Sequence, residues 1–429
     1  MAIDTIGANA LATSAVTTAK IAADAVTSAK IPAGAVVASD VADGSVTTAK
    51  LADNAVTSAK ALNLGRRNLF INGDMQIAQR GTSIAMAHDG NTGNYLIDRF
   101  KLSLGGTHEQ LDGTIAQVAE HPLSNGFSKS LKWTTGTPET SYDADEYAYF
   151  AQVIEAKNVQ HLNWGSSNAK SVTMSFYVKS SITGTFAVGI YKEDSPARIF
   201  NKTYTISSAN TWEKKIITFA GDTAGGGIAN DNGRGFYVNW HLSSGSTFTG
   251  GGSTSGWSDY SNAKWADGQA TNAVMTTAGA TWQMTLCQIE VGAAATDFEH
   301  RSTEEELVAC QRYFIKSGDV GASDEWFPGV TTNAGAGRRT AQSFDGNQDR
   351  AGALVEFPTY MRSNPTVVFY PARSDVAQTA GSIAVYNGAT LVTTSGKPQG
   401  RVMGLQGYFQ GTSTDSAAYV FQFTADAEL

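Results

Sequence analysis

The chain has 429 residues, room for two or three domains, with 44 glycines, 10% aromatic and 16% charged residues, and a formal net charge of −8. With that charge and no basic run longer than Arg66-Arg67 or Arg338-Arg339, nucleic acid is not an expected partner; no stretch reaches the ~18 apolar residues of a membrane span, so no membrane insertion is expected. Two cysteines, Cys287 and Cys310, lack CxxC spacing and read as free thiols rather than a disulfide framework or zinc site.

From Thr5 to about Lys60 the sequence repeats every ten residues, and Val16, Ile21, Val26, Ile31, Val36, Val41, Val46, Leu51 and Val56 recur every five. Five is neither the strand nor the helix period, so the chain must turn regularly; Pro32-Ala33-Gly34, Asp43-Gly44 and Asp53-Asn54 offer turn chemistry at matching places. Two such side chains in ten bury too little apolar surface within one chain to offset the entropy of ordering it. Several identical chains about one axis would bury them all, which predicts an oligomeric, trimeric stalk over residues 1–65. The alternative is a flexible low-complexity linker, against which the strict spacing counts.

Residues 66–300 read as an antiparallel β-sandwich. Alternating segments run over residues 171–179, 185–190, 203–206, 210–219, 235–240 and 283–291. Trp212 and Trp282 fall inside these patterns and are expected in the core. Ser302-Thr303-Glu304-Glu305 then opens a short helix: Ser302 is placed to cap it, Glu305 to reach back, and Leu307, Cys310, Gln311 and Phe314 to share a face. This connector, residues 301–315, leads to a β-rich tip domain at 316–429, with strands expected at 352–357, 365–370, 401–405 and 417–424. The predicted class is therefore all-β with one capped helix.

Aromatic side chains beside planar polar groups are what a sugar face needs. Trp240, Trp257, Tyr260 and Trp265, in and beside a Gly/Ser-rich loop, together with Trp326 and Tyr408 in the last domain, are the candidate ligand contacts, packing or subunit contact being the competing role. The acidic segments at 143–146 and 222–231 lack EF-hand spacing and read as solvated loops, so no metal and no cofactor is expected. The six histidines do not cluster; no G-x-S-x-G, no H-E-x-x-H and no P-loop lysine occurs, so no catalytic residue is assigned.

Three stretches together resemble a known family. Asn72-Gly73-Asp74-Met75-Gln76 with Ile97-Asp98-Arg99-Phe100, and the later run Gln288-Ile289-Glu290-Val291-Gly292, Phe298-Glu299-His300-Arg301-Ser302 and Cys310-Gln311-Arg312-Tyr313, are similar to elements of tailed-bacteriophage tail fibre proteins. The ending Phe423-Thr424-Ala425-Asp426-Ala427-Glu428-Leu429 resembles their fibre tips. The resemblance implies a central jelly roll of carbohydrate-binding-module type, a β-sandwich tip, a homotrimeric fibre in the virion, and phage tail or adaptor partners at the amino-terminal region. It also implies attachment to bacterial surface polysaccharide, which the absence of a catalytic motif makes an expectation of binding without cleavage. A connector or capsid fibre with no receptor site, and a capsule depolymerase, are the alternatives.

Overall fold

A computed structural model describes residues 27–32, 35–42, 45–46, 66–87, 94–106, 108–123, 129–317, 339–343, 350–371, 382–387, 390–401, 403–410 and 418–429. For residues 28, 38, 94, 339–343, 350–354, 369–371, 382–387, 390–399, 401, 405–410 and 418–422 it describes the backbone. The chain divides into two compact units, Met1–Asn63 and Leu64–Leu429.

In the first unit, backbone N–H groups of Lys30, Ala35, Asp40 and Ser45 donate to the carbonyls of Thr27, Pro32, Val37 and Ala42 at 2.9, 3.0, 2.9 and 3.0 Å. Each bond closes a four-residue turn, and turns begin every five residues, which gives the odd sequence period its cause. The single residue between successive turns is Ile31, Val36 or Val41, with Val46 after the fourth; these side chains are 45, 58, 40 and 53% exposed. Val16, Ile21, Val26, Leu51 and Val56 lie outside the described residues.

The second unit is all-β. In chain order its elements are β1 (Ser83–Met86), β2 (Asn94–Tyr95), β3 (Lys101–Gly105), β4 (Gly113–Val118), β5 (Ser130–Thr135), β6 (Tyr147–Glu155), β7 (Val172–Ser180), β8 (Gly184–Lys192), β9 (Arg198–Ile206), β10 (Glu213–Phe219), β11 (Arg234–Ser244) and β12 (Ser258–Asp259). There follow α1 (Ala273–Thr276), β13 (Thr281–Val291), α2 (Thr303–Gln311), β14 (Phe314–Lys316), β15 (Arg339–Ser343), β16 (Arg350–Glu356), β17 (Thr366–Pro371), β18 (Ser382–Asn387), β19 (Thr390–Arg401), β20 (Gly404–Gln410) and β21 (Ala418–Asp426). A six-stranded sheet ordered β1-β4-β5-β13-β7-β10 faces a seven-stranded one ordered β12-β9-β8-β11-β6-β3-β2; β14–β16 and β18–β21 form a third, which β17 joins through β21. The described pairings are antiparallel, as in β11 with β6 and β13 with β7.

The sandwich core is aromatic. Trp240 is 0% exposed, with ring centroids 5.4 Å from Phe70 and 6.1 Å from both Phe100 and Phe176. Trp240 is thus no surface contact: on β11 it alternates with Phe236, Val238 and Leu242, all buried inward. Trp282 stacks on Phe150 in the same core, as its strand position requires, but Trp212 precedes β10 and is only half-buried beneath the Lys179 ammonium. The strand expected over 401–405 is instead the end of a hairpin, β19 stopping at Arg401 and β20 starting opposite it at Gly404.

The joint carries the second correction. Ser302 Oγ accepts from the Glu305 N–H and Glu305 Oε2 from the Ser302 N–H, both at 3.2 Å, so the capping box forms. The side chains α2 buries, however, are Glu306 and Cys310, with Leu307 and Gln311 half-buried, and Phe314 belongs to β14. Glu306 accepts from the Asn72 N–H at 2.7 Å and from Arg301 at 3.1 Å; Arg301 also donates to the carbonyls of Asn68 and Phe70. Glu299 accepts from the N–H groups of Arg67 and Asn68. Gly73 closes the same lock: a Cβ there would stand 2.1 Å from the Cys287 carbonyl oxygen. Further on, Arg312 and Tyr313 both donate to Glu155 of β6. Arg99, fully buried under the Tyr313 ring at 3.5 Å, pairs with Glu428 just beyond β21. Cys287 and Cys310 are free and buried, and burial pushes both thiols up.

Replacing Glu306 takes one of two carboxylates from the buried Arg301 guanidinium and strands the Asn72 N–H. Glu306→Ala should lower unfolding stability by about 3 kcal/mol or more, whereas exposed Glu304→Ala should stay within about 0.5 kcal/mol; urea midpoints at constant slope check both. His241 of β11 is wholly buried, which holds it neutral and pushes its pKa down to about 3 from an ordinary 6.5. Below that ordinary value the unfolded chain takes up a proton that the folded chain refuses, so the stability present above it is lost as pH falls. Between pH 7 and pH 5 the parent should therefore lose about 2 kcal/mol more than His241→Gln; melts at both pH values measure the difference.

Candidate functional site

Half-buried aromatic side chains gather on the outer face of the seven-stranded sheet. On β6, Tyr147 and Tyr149 point outward between the buried Ala148 and Phe150; on β11, Tyr237 does so opposite Tyr191 of β8. In the next register row stand Gly189, Asn239 and Ala151, all small, and the indole of Trp265 lies beside this row. Its ring centroid is 5.4 Å from Tyr149, 5.3 Å from Tyr191 and 5.8 Å from Tyr260, all edge-on. Tyr191 and Tyr260 are 4.9 Å apart. Each of these rings is half-buried.

The tier rests on a loop that the glycine-rich sequence would leave with little order of its own. Tertiary bonds supply the order: Gln269 accepts from the Ala187 N–H of β8 at 2.6 Å, Asn201 of β9 donates to Ser253 Oγ at 2.8 Å, and the Ala266 N–H donates to the Phe248 carbonyl at 2.9 Å. Phe248 in turn stands edge-on against Tyr147 at 5.3 Å. The rings are thereby positioned in advance, which lowers the entropic cost of any ligand.

Polar groups border the tier. Arg234 stands 5.5 Å over the Tyr237 ring and pairs with Glu193 at 3.3 Å, and the Tyr237 hydroxyl donates to the same carboxylate at 3.4 Å. Burial, then Arg234, pulls the Lys101 ammonium down, while burial pushes the phenols of Tyr149, to about 12, and of Tyr191, Tyr237 and Tyr260 upward. All four phenols are donors at neutral pH. Beside Arg234 opens a polar cleft of about 360 Å³, lined by Glu193, Asp194, Asp231, Arg234, Arg362 and Leu429 among others. Beneath the rings, the Asn239 amide is buried with neither atom hydrogen-bonded.

Of the sequence candidates, the fold brings Tyr260 and Trp265 together here. Trp257 stands apart: its indole N–H donates to the Ala220 carbonyl at 2.7 Å and its ring packs on Trp164 and Phe200, a wall of the core. Trp326 lies outside the described residues, and Tyr408 is on β20, where the backbone is described. Sequence reading missed Tyr147, Tyr149, Tyr191 and Tyr237, whose signal was the period-two alternation of Tyr-x-Tyr on β6 and of Tyr237 among inward residues on β11.

Two acidic segments differ from the solvated loops expected. Asp222 is fully buried between Lys192 at 3.6 Å and Arg198 at 3.2 Å, and burial lowers the Lys192 pKa. Asp143, Ala144 and Asp145 are exposed, but Glu146 turns inward to join His108 and Glu139, a ligand-type trio that no local spacing announces.

Neither a family model nor a curated protein sequence matches this chain. Among solved structures it is similar to the enzymatically active domain of tailspike protein 4 of bacteriophage CBA120, at 12% identity and a TM-score of 0.28 over 52% of this chain and 21% of that one. It is also similar to a CBM4 structure, at 12% identity and 0.26 over 52% of this chain and 98% of that one. A third is the family 11 carbohydrate-binding module of Clostridium thermocellum, solved with a mixed-linked tetrasaccharide, at 11% identity and 0.25 over 50% and 98%. This chain thus spans about a fifth of the tailspike domain it resembles.

Proposed function

We propose that this chain is a tail-fibre protein of a bacteriophage virion that attaches the particle to bacterial surface polysaccharide without cleaving it. The observation that carries the reading is the tier of Trp265, Tyr149, Tyr191 and Tyr260 on the outer sheet face, bordered by Lys101, Arg234 and Glu193. Half-buried rings offer stacking surface to the C–H faces of sugar rings, and fixed planar side chains at the border suit their hydroxyls. The tail-fibre resemblance of residues 66–82, 95–100 and 287–314 supports the same assignment.

The repeat unit supports an oligomeric fibre. Side chains at 31, 36, 41 and 46 are left half-exposed at regular intervals by one chain, and copies of the same chain, three by our reading, are the partner whose repeat matches that interval. Three copies of a weak sugar site, and several fibres on a particle, multiply the effective affinity.

Trp265→Ala should weaken binding of the purified chain to extracted host polysaccharide about tenfold or more, the loss of one central aromatic contact, with the sedimentation profile unchanged. Undiminished binding would move the site off this face, and absence of binding by the parent would favour a connector. Shortened polysaccharide in the same samples would establish a depolymerase instead. Light scattering of the full chain should give three chains per particle, and Val36→Ser with Val41→Ser should shift that mass downward; a monomeric parent would refute the stalk.

A further inference from the structure

At the end of the sandwich where β3 leaves, β5 ends and β6 begins, three side chains meet that the aromatic face does not use. His108 follows β3, Glu139 follows β5 and Glu146 immediately precedes β6; one ligand atom from each lies within 4.8 Å of the others. They are 8, 2 and 1% exposed. His108 Nδ1 is 3.4 Å from Oε1 of Glu139 and 3.4 Å from Oε1 of Glu146, yet neither ring nitrogen makes a hydrogen bond of acceptable geometry. Tyr142, its ring edge-on to the imidazole at 5.9 Å, buries a hydroxyl that is likewise unpaired.

Two buried carboxylates and an imidazole do not satisfy one another: ionised carboxylates only accept, and a neutral imidazole has one N–H to give. A dication resolves the conflict. A tetrahedral ion with nitrogen and oxygen ligands at ~2.0–2.2 Å sets neighbouring ligand atoms about 3.3–3.5 Å apart, the spacing His108 keeps to each carboxylate. The carboxylates are steered by backbone donors, Leu111 N–H to Glu139 at 3.0 Å and Asp143 N–H to Glu146 at 2.8 Å, the outer support that metal ligands need. An imidazole nitrogen in the set disfavours Ca²⁺ and Mg²⁺, which take oxygen ligands, and suits zinc-type ions.

We propose that His108, Glu139 and Glu146 form a structural site for a divalent transition ion of the zinc type. Such an ion pins the β3–β4 connection to the β5–β6 connection, gripping the latter at two points. Because the Gly245 N–H donates to the Glu146 carbonyl at 2.8 Å and the Thr247 N–H to that of Ala144 at 2.9 Å, it also anchors the start of the loop that sets Phe248 against Tyr147.

The test uses the tag-free, chelator-treated full chain titrated with Zn²⁺ in a calorimeter, and with Co²⁺ while recording its visible spectrum. One Zn²⁺ per chain, a higher melting temperature with Zn²⁺ present and the intense bands of four-coordinate Co²⁺ are expected. Since losing even an outer-shell partner weakens metal sites about 10- to 100-fold, His108→Ala and the isosteric Glu146→Gln should each weaken Zn²⁺ about 100-fold or more, and His161→Ala, at an exposed ring, should leave it unchanged. Should His108→Ala fail to fold by circular dichroism, Glu146→Gln decides. No stoichiometric binding by the parent, equal affinity in the ligand variants, or equal loss in His161→Ala would each overturn the site.

Discussion

The Arg301 guanidinium, held between Glu299 and Glu306 and donating to the Asn68 and Phe70 carbonyls, is the contact on which the second unit depends. It fastens the strand-free entry segment 66–75 to the segment that leaves β13, two stretches more than two hundred residues apart in sequence. Because Glu306 is also the buried anchor of α2, the same contact sets where the helix starts and so where β14 enters the third sheet. Buried ion pairs add little net stability compared with apolar packing, but a wrong register would strand their charges. Here that penalty falls on any misplacement of the entry segment, the helix or the third sheet.

A second set of buried charges continues the arrangement. Arg80 lies 3.6 Å over the Phe314 ring and pairs with Asp98, Asp426 and Glu428, while Arg99 pairs with Glu428 and donates to the Val153 carbonyl. Burial raises Asp98 to about 6, opposed first by Arg80. The residues after β21 are thus tied to the sandwich by side chains from its first fifty residues, and the recognisable Ile97-Asp98-Arg99-Phe100 element has a physical reason for each polar member.

Much of the fold was legible because it rests on local rules. The capping box at Ser302 and Glu305 needs only its own three-residue spacing, and β7, β8, β11 and β13 fall within a few residues of the alternating segments. What escaped depended on distant partners. Nothing on α2 itself says that it buries a carboxylate, because the Asn72 N–H that Glu306 meets comes from the far end of the unit; Glu146 turns inward toward Glu139 of its own loop and His108 of the β3–β4 connection. Trp240 is different: Phe236, Val238, Trp240 and Leu242 alternate strictly, so strand period alone assigns it inward and Tyr237 outward. The aromatic face was half-written in that alternation, while the proximity of Tyr191, Tyr149 and Trp265 required the sheet order.

The turn ladder between residues 27 and 46 bears on how such a chain changes over generations. Each step is closed by its own hydrogen bond and is followed by an equivalent β-branched residue. Gain or loss of a whole step leaves every other step's bond and exposed side chain as they were, while gain or loss of any other number shifts all later apolar residues out of phase. Slippage between repeated coding sequence produces whole steps by default, so the length of this segment is a trait that replication error can change while keeping its phase.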